Sequence, residues 1–308
     1  MRNYAALPLL LILNCISIGE PDREPSRFPM SGHVYRSWEQ VLQGSTPISE
    51  FEVLHTGEVE VPVTGMLNAD RAVEFFEGKT TFVDVYAFWF CHRDYGCYLI
   101  DSGLDDSFGE GKEGNVRGLL ASSYIVSSRQ KPGTDILSQL ATGNRKQRLK
   151  GVFFTHLHGD HTSGVPALVS EPDIGPLEFF VASGEEYINY WMLYQGDHLA
   201  NVKKLSELNP NAGQNMPILG NCLDIFGDGS LWAISTPGHS GAHLSYLIRT
   251  PSGPTLLTGD ASHTRVGFEN GIEPGWIDNR DQARSSLLAL IEFAQTYPQV
   301  RVIYGHER

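Results

Sequence analysis

Thr155-His156-Leu157-His158-Gly159-Asp160-His161 places three imidazoles and one carboxylate within six positions, directly after the apolar run Leu149–Phe154. Such a run reads as a buried strand, so the cluster sits on the loop leaving its end. Imidazole and carboxylate are the ligands that zinc and its neighbours prefer. His156 and His158 alternate along an extended chain and can face one side. Asp160 and His161 come after a turn that Gly159 permits. One short loop can therefore serve two adjacent metals. The competing reading is a polar, His-rich surface loop.

Two metals need further ligands, and three later segments share one local pattern. Leu231–Thr236 runs into Pro237-Gly238-His239, Thr255–Thr258 into Gly259-Asp260, and Val300–Tyr304 into Gly305-His306. In each, a strand is followed by glycine and then by a side chain able to bind metal, which projects it from the edge of a sheet. Singly, each is an ordinary turn. Together with the first loop they make seven ligands, His156, His158, Asp160, His161, His239, Asp260 and His306, suited to two ions sharing one carboxylate.

Other strand-like runs are Phe82–Cys91, Cys97–Asp101, Leu177–Ala182 and His243–Arg249. A short helix is expected within His33–Gln43. The clearest helix spans Arg280–Tyr297, with Leu287, Leu290, Ile291 and Ala294 on one face, Asn279 and Gln282 as a capping box, and Pro298 as the stop. Strands and helices intermixed in this way mean layered α/β or α+β.

The 308 residues carry 23 Lys+Arg against 36 Asp+Glu, a net charge of −13. This balance argues against nucleic acid, which needs a basic footprint. Apolar residues, at 41%, suffice for a large core, and four Cys are too few for a disulfide-built scaffold. Arg2, the apolar run Ala5–Leu13 and the small-x-small site Ser17-Ile18-Gly19 predict a signal peptide over 1–19, hence export to the periplasm or medium and no stable membrane span. The alternatives are a lipoprotein acylated on Cys15 and an ordinary buried N-terminal segment. Glu20 to Arg27 reads as a linker or frayed terminus within an N-terminal extension, 20–50.

The His-x-His-x-Asp-His loop, the distant His239, Asp260 and the final His306 resemble the metallo-β-lactamase superfamily. Thr236-Pro237-Gly238-His239-Ser240, Leu256–Ser262 and Tyr304-Gly305-His306 are similar to its N-acyl-homoserine lactonase branch. The resemblance covers about 51–308 and implies a single-domain αββα four-layer sandwich with two divalent ions, most simply Zn2+, at one edge of the sheets. It also implies that His156, His158 and His239 hold one ion, that Asp160, His161 and His306 hold the other, and that Asp260 bridges. Asp101, in the place of the family's early Asp-x-Gly, and His243 are then supporting residues behind the ligands. The expected activity is the opening of a lactone such as an N-acyl-homoserine lactone, or else hydrolysis of another small ester, by a hydroxide shared between the ions, with Asp160 passing a proton to the leaving group. A thioester hydrolase of the glyoxalase II type is the alternative, and a non-catalytic metal-bound binding protein a lesser one.

The chain departs from that branch at two places. His263 stands where a Tyr usually approaches the substrate carbonyl, and Glu307 follows His306 where Asp is common. A catalytic role for His263 as hydrogen-bond donor is weighed against an exposed loop histidine. Phe88-Trp89-Phe90 and Tyr190-Trp191 with Tyr194 read as packing before they read as an acyl pocket, whereas Trp276 and Phe268 are better pocket candidates. His33, His55, His92 and His198 lack ligand-spaced partners, and the basic run Arg145–Lys150 reads as a solvated turn. Cys91 and Cys97 flank a five-residue tip between two strands, so either a disulfide or two small buried side chains fits there.

Overall fold

A computed structural model of the chain describes residues 20–187 and 196–307. Its first sheet is built from β1 (Asp22–Pro25), β2 (Ile48–Pro62), β3 (Thr80–His92), β4 (Gly96–Ile100), β5 (Ser127–Arg129), β6 (Leu149–Phe153), β7 (Glu178–Ala182) and β8 (Lys204–Leu208). These pair in the order β1-β8-β7-β6-β4-β3-β2-β5. The second sheet takes β9 (Gln214–Met216), β10 (Gly220–Asp224), β11 (Leu231–Ser235), β12 (Leu244–Thr250), β13 (Gly253–Leu257) and β14 (Arg301–Ile303). Their order is β14-β13-β12-β11-β10-β9.

The sheets face each other across one apolar layer in which Phe90, Tyr98, Phe153 and Phe180 meet Leu231, Ala233, Tyr246 and Ile248. On the outer side of the first sheet, Trp89, Leu99, Val152 and Val181 pack against Ile136 and Leu140 of one helix and Val165 and Leu168 of another. On the outer side of the second, Trp232, Ile234, Leu247 and Leu256 are covered by Trp38 and Val41 and by Leu287, Leu290 and Phe293. The layers thus run helix, sheet, sheet, helix, the αββα sandwich of the α/β class. Period-two alternation drives it, because each strand sends alternate side chains to the inner and outer layers.

The long helix spans Arg280–Thr296, and the Asn279 side chain accepts from the Gln282 N–H at its start. The short N-terminal helix is Trp38–Leu42. Phe88 and Phe90 fill the inter-sheet layer and Trp89 the outer one, so that triplet is packing. Tyr190, Trp191 and Tyr194, and the leader 1–19 with Cys15, lie outside the described residues.

Two expectations are corrected. Glu20–Arg27 is not frayed: Asp22–Pro25 pairs in parallel with Lys204–Glu207 at the sheet edge. Pairing supplied by a distant strand overrides a locally polar sequence. The basic run is not simply solvated, since Arg145, Lys146 and Arg148 pair with Glu52, Glu171 and Glu50. β2, fifteen residues long, is absent from the strand-like runs of the sequence because its alternating glutamates mask its strand character, although it pairs along most of β3. Cys91 and Cys97 sit opposite each other in the β3–β4 ladder and form a disulfide, leaving Cys222 as a buried free thiol. Among the described residues no helix is long and apolar enough to cross a membrane.

Candidate metal centre

β6 is buried between β4 and β7, and the chain leaves it through Phe154 and Thr155 straight into His156. A helical turn, Gly159–Thr162, then aims Asp160 and His161 back toward the strand ends. His239, Asp260 and His306 arrive from the second sheet on the turns after β11, β13 and β14. All three of these turns require glycine: a Cβ on Gly238, at φ +131°, would lie 2.0 Å from the Ala283 nitrogen. A Cβ on Gly305 would lie 2.4 Å from Asp260 Oδ1, and Gly259, at φ +52°, would drive one to 2.7 Å from His243 Nε2. The strand-glycine-ligand pattern is thus a demand for close approach.

All seven residues converge in two overlapping groups. His156, His158, His239 and Asp260 form one, and Asp160, His161, His306 and Asp260 the other, with the ligand atoms of each group within 4.8 Å of one another. Asp260 Oδ2 faces His156 Nε2 at 3.6 Å and His239 Nε2 at 3.3 Å. Its Oδ1 faces His161 Nε2 and His306 Nε2, each at 3.4 Å. His306 Nε2 also lies 3.3 Å from Asp160 Oδ2.

Supporting contacts orient the rings. Asp101 Oδ2 takes the His161 Nδ1 proton at 2.8 Å, and Asp101 Oδ1 accepts from the Thr155 N–H. His306 Nδ1 donates to the Asp84 carbonyl at 2.8 Å. His243 Nε2 accepts from the Asp260 N–H at 2.9 Å, while its Nδ1 meets Thr236 Oγ1 at 2.8 Å. Such contacts fix tautomer and direction. Asp101 and His243 therefore stand where they were expected, behind the ligand-type residues.

The donors fit divalent ions on a structural ground. His156 Nε2, His161 Nε2 and Asp260 Oδ1 are buried without a hydrogen-bond partner among the described residues, although buried polar atoms are normally paired. Electrostatics divides the two groups. Burial pushes His158 down to about 4 and His156 and His239 well below the ordinary imidazole value, leaving neutral rings. Burial also works against charge on His161 and His306, but carboxylates led by Asp260 outweigh it, holding His161 well above the ordinary value and His306 at about 9. For Asp260 burial favours the acid, yet His306, His161, His263 and His239 together hold it well below the usual carboxylate range.

His263 is buried, not exposed. Its Nδ1 lies 3.3 Å from the Met66 carbonyl, which can only accept, and its Nε2 lies 3.1 Å from Asp260 Oδ2. Glu307 accepts from the Arg265 N–H. Phe268 packs in the outer core against Tyr304, whereas the partly buried Trp276 lies beside Gly65 and Tyr124. His92 pairs with Asp228 away from the centre, whereas His55 pairs with the side chain of Asp84, whose carbonyl holds His306, and His198 is buried against Thr162, whose hydroxyl also bonds the His158 carbonyl.

One residue the motifs did not single out joins the site. Glu185 accepts from the Leu157 N–H, the Ser240 hydroxyl and the Ala242 N–H. Burial pushes its carboxyl up to about 7 against those hydrogen bonds. Gly184-Glu185 follows β7 by the same strand-glycine-carboxylate pattern as Gly259-Asp260, and that signal was present in the sequence.

A family model described as the metallo-beta-lactamase superfamily matches residues 80–306. Among curated relatives, an N-acyl homoserine lactonase AttM of Rhizobium radiobacter is 38% identical over 217 residues, covering 69% of this chain and 78% of that protein. An N-acyl homoserine lactonase of a Bacillus species is 28% identical over 215 residues, covering 69% and 77%. A solved quorum-quenching N-acyl homoserine lactone lactonase superposes with a TM-score of 0.63 at 20% identity, covering 86% of this chain and 94% of that one.

Proposed function

Because the chain belongs to the metallo-beta-lactamase superfamily, we propose that it is a dinuclear metal-dependent hydrolase that opens a lactone, with N-acyl homoserine lactones as the leading substrate class. Asp260 carries this reading, since each of its carboxylate oxygens is turned to a different histidine group. His156, His158 and His239 would hold one divalent ion, Asp160, His161 and His306 the other, and Asp260 both. Zinc suits a donor set of imidazoles and carboxylates. When bound, such a pair supplies Lewis-acid polarisation of the carbonyl and a water of lowered pKa.

The chain's own groups do the rest. Asp160 has the more exposed of the two central carboxylates, at 20% against 4% for Asp260. It is therefore placed to take a proton from the attacking water and pass it to the ring oxygen as that oxygen leaves. His263 presents Nε2 to the centre from the Met66 side and can steady the carbonyl oxygen as charge develops, when the ring carries both protons. The relatives named as lactonases support the lactone as substrate. The disulfide supports export, since such bridges persist in oxidising compartments.

The test is metal analysis joined to a substrate panel. We expect about two ions per chain, loss of activity to chelators with recovery on adding Zn2+, and turnover of lactones ahead of thioesters, β-lactams and phosphodiesters. One ion or none in active protein removes the dinuclear reading. Turnover confined to thioesters replaces the lactonase with the glyoxalase II-type alternative.

A further inference from the structure

We propose that Glu185 is a positioning residue for the first ligand group, stapling the loop that carries His156 and His158 to the loop that carries His239. The inference rests on the dinuclear reading above. Glu185 is 1% exposed. Its Oε1 accepts from the Leu157 N–H at 3.3 Å, and Leu157 lies between the two histidines of the first loop. Its Oε2 accepts from the Ser240 hydroxyl at 2.8 Å and the Ala242 N–H at 3.0 Å, immediately beyond His239.

These two loops belong to different sheets, one following β6 and the other β11. Between the sheets lies an apolar layer, and apolar burial is non-directional. It holds the sheets together without setting one loop against the other to the few tenths of an ångström that a metal site demands. Directional bonds from a single carboxylate to both loops supply that register. The ligand atoms in front converge accordingly, with His239 Nε2 2.9 Å from His158 Nδ1.

The staple is itself held from behind. Arg23, in β1, donates to the Glu185 carbonyl at 2.6 Å and reaches Glu207 of β8 at 3.3 Å. The N-terminal strand lies outside the residues matched by the family model, 80–306. It thus fixes the backbone of the residue that joins the two ligand loops. Burying a carboxyl costs stability, and a fixed distance between the two loops is what the fold obtains in exchange.

The experiment uses the full chain, stripped of metal and titrated with Zn2+ against a chromophoric chelator. Co2+ absorption serves as a second readout. Glu185→Gln keeps the size of the side chain, but whichever way its amide turns, one arm of the staple sets donor against donor. One of the two ions should bind about 10–100-fold more weakly and the other should be unchanged, whatever the metal-free melting temperature loses to the mismatched arm. Glu185→Ala should weaken the same ion further. If Glu185→Ala fails to fold, Glu185→Gln decides alone.

Unchanged affinities in Glu185→Gln overturn the inference, as does equal weakening of both ions. A lowered metal-free melting temperature with both affinities intact also overturns it, by making Glu185 a residue of the fold alone. A wild-type chain that binds fewer than two ions fails the dinuclear reading instead, so the two failures are distinguishable.

Discussion

His92 lies at one end of β3, and at the other end of the same strand the Asp84 carbonyl holds His306. Both ends of the sandwich bury histidine among aspartates, yet they settle their polar atoms differently. At the first end, His92 Nε2 meets Asp228 Oδ2 at 2.8 Å and its Nδ1 accepts from the Asp94 N–H. Beside it, Asp224 accepts from the N–H groups of Gly227 and Gly229. At the second end, His156, His161 and Asp260 each keep a buried atom without a partner among the described residues. In the first cluster the imidazole and both carboxylates are paired, and the atoms beside them without a partner among the described residues, Ser230 Oγ and Arg249 Nε, offer no set of metal-ligand donors, so it serves the fold. The second is left open toward a common centre, and that openness separates a site from a buried polar knot.

If that separation is right, Asp260→Ala should have the largest effect. It removes the two oxygens on which both groups converge. Metal content should fall below two ions per chain, and kcat by more than the about 100-fold that loss of an outer supporting partner can cost. Retention of both ions in this variant would break the contrast at its strongest point.

His263→Ala sharpens the open end further. Both ions should remain while kcat falls on the order of a hundredfold, the effect of losing one donor to a developing oxyanion, with a smaller change in KM. His263→Tyr should recover part of the loss. Unchanged kinetics would make His263 a bystander, and loss of an ion would make it a ligand.

At the closed end the readout moves from activity to stability. His92 packs against Tyr95 and Phe226 as well as pairing with Asp228. His92→Ala should lower unfolding free energy by about 2–4 kcal/mol, from lost packing and an unpaired partner. Metal stoichiometry and kcat should not change. Denaturant unfolding and metal analysis check both halves, and a lost ion would show that the ends are not independent.

The last effect shows only against pH and concerns Asp224, whose carboxyl burial pushes up to about 7 from an ordinary 3.8. A raised folded pKa means that the native state keeps a proton the unfolded chain has released. The stabilisation is therefore complete below about 4 and is lost as pH rises through about 7. Asp224→Asn does not titrate, so the melting temperature of wild type relative to this variant should fall between pH 5 and pH 8. A flat difference would mean that the carboxyl titrates as an ordinary one.

Much of the centre was legible because its grammar is local. A buried strand, a glycine and a ligand-type side chain are neighbours in sequence, and Gly259 and Gly305 show why the glycine is needed. The same grammar at Gly184-Glu185 went unread because a single glutamate after a glycine carries no metal signature of its own. β1 and β2 were obscured for a different reason. Their polar faces look like loop until a partner strand is known, and those partners are β8 and β3.

The sequence by itself determined which side chains can bind metal, where the buried strands lie and how the helix Arg280–Thr296 begins, since ligand chemistry, period-two burial and capping act over a few residues. The division of the ligands into two groups came to it only through family resemblance. Tertiary structure alone decided that Asp260 turns one oxygen to each group, that Glu185 links the two loops and that His263 is buried with Nε2 toward the centre. Those facts depend on contacts such as that of His158 with His239, 81 positions apart. Burial between two sheets sets such contacts, and no local pattern encodes them.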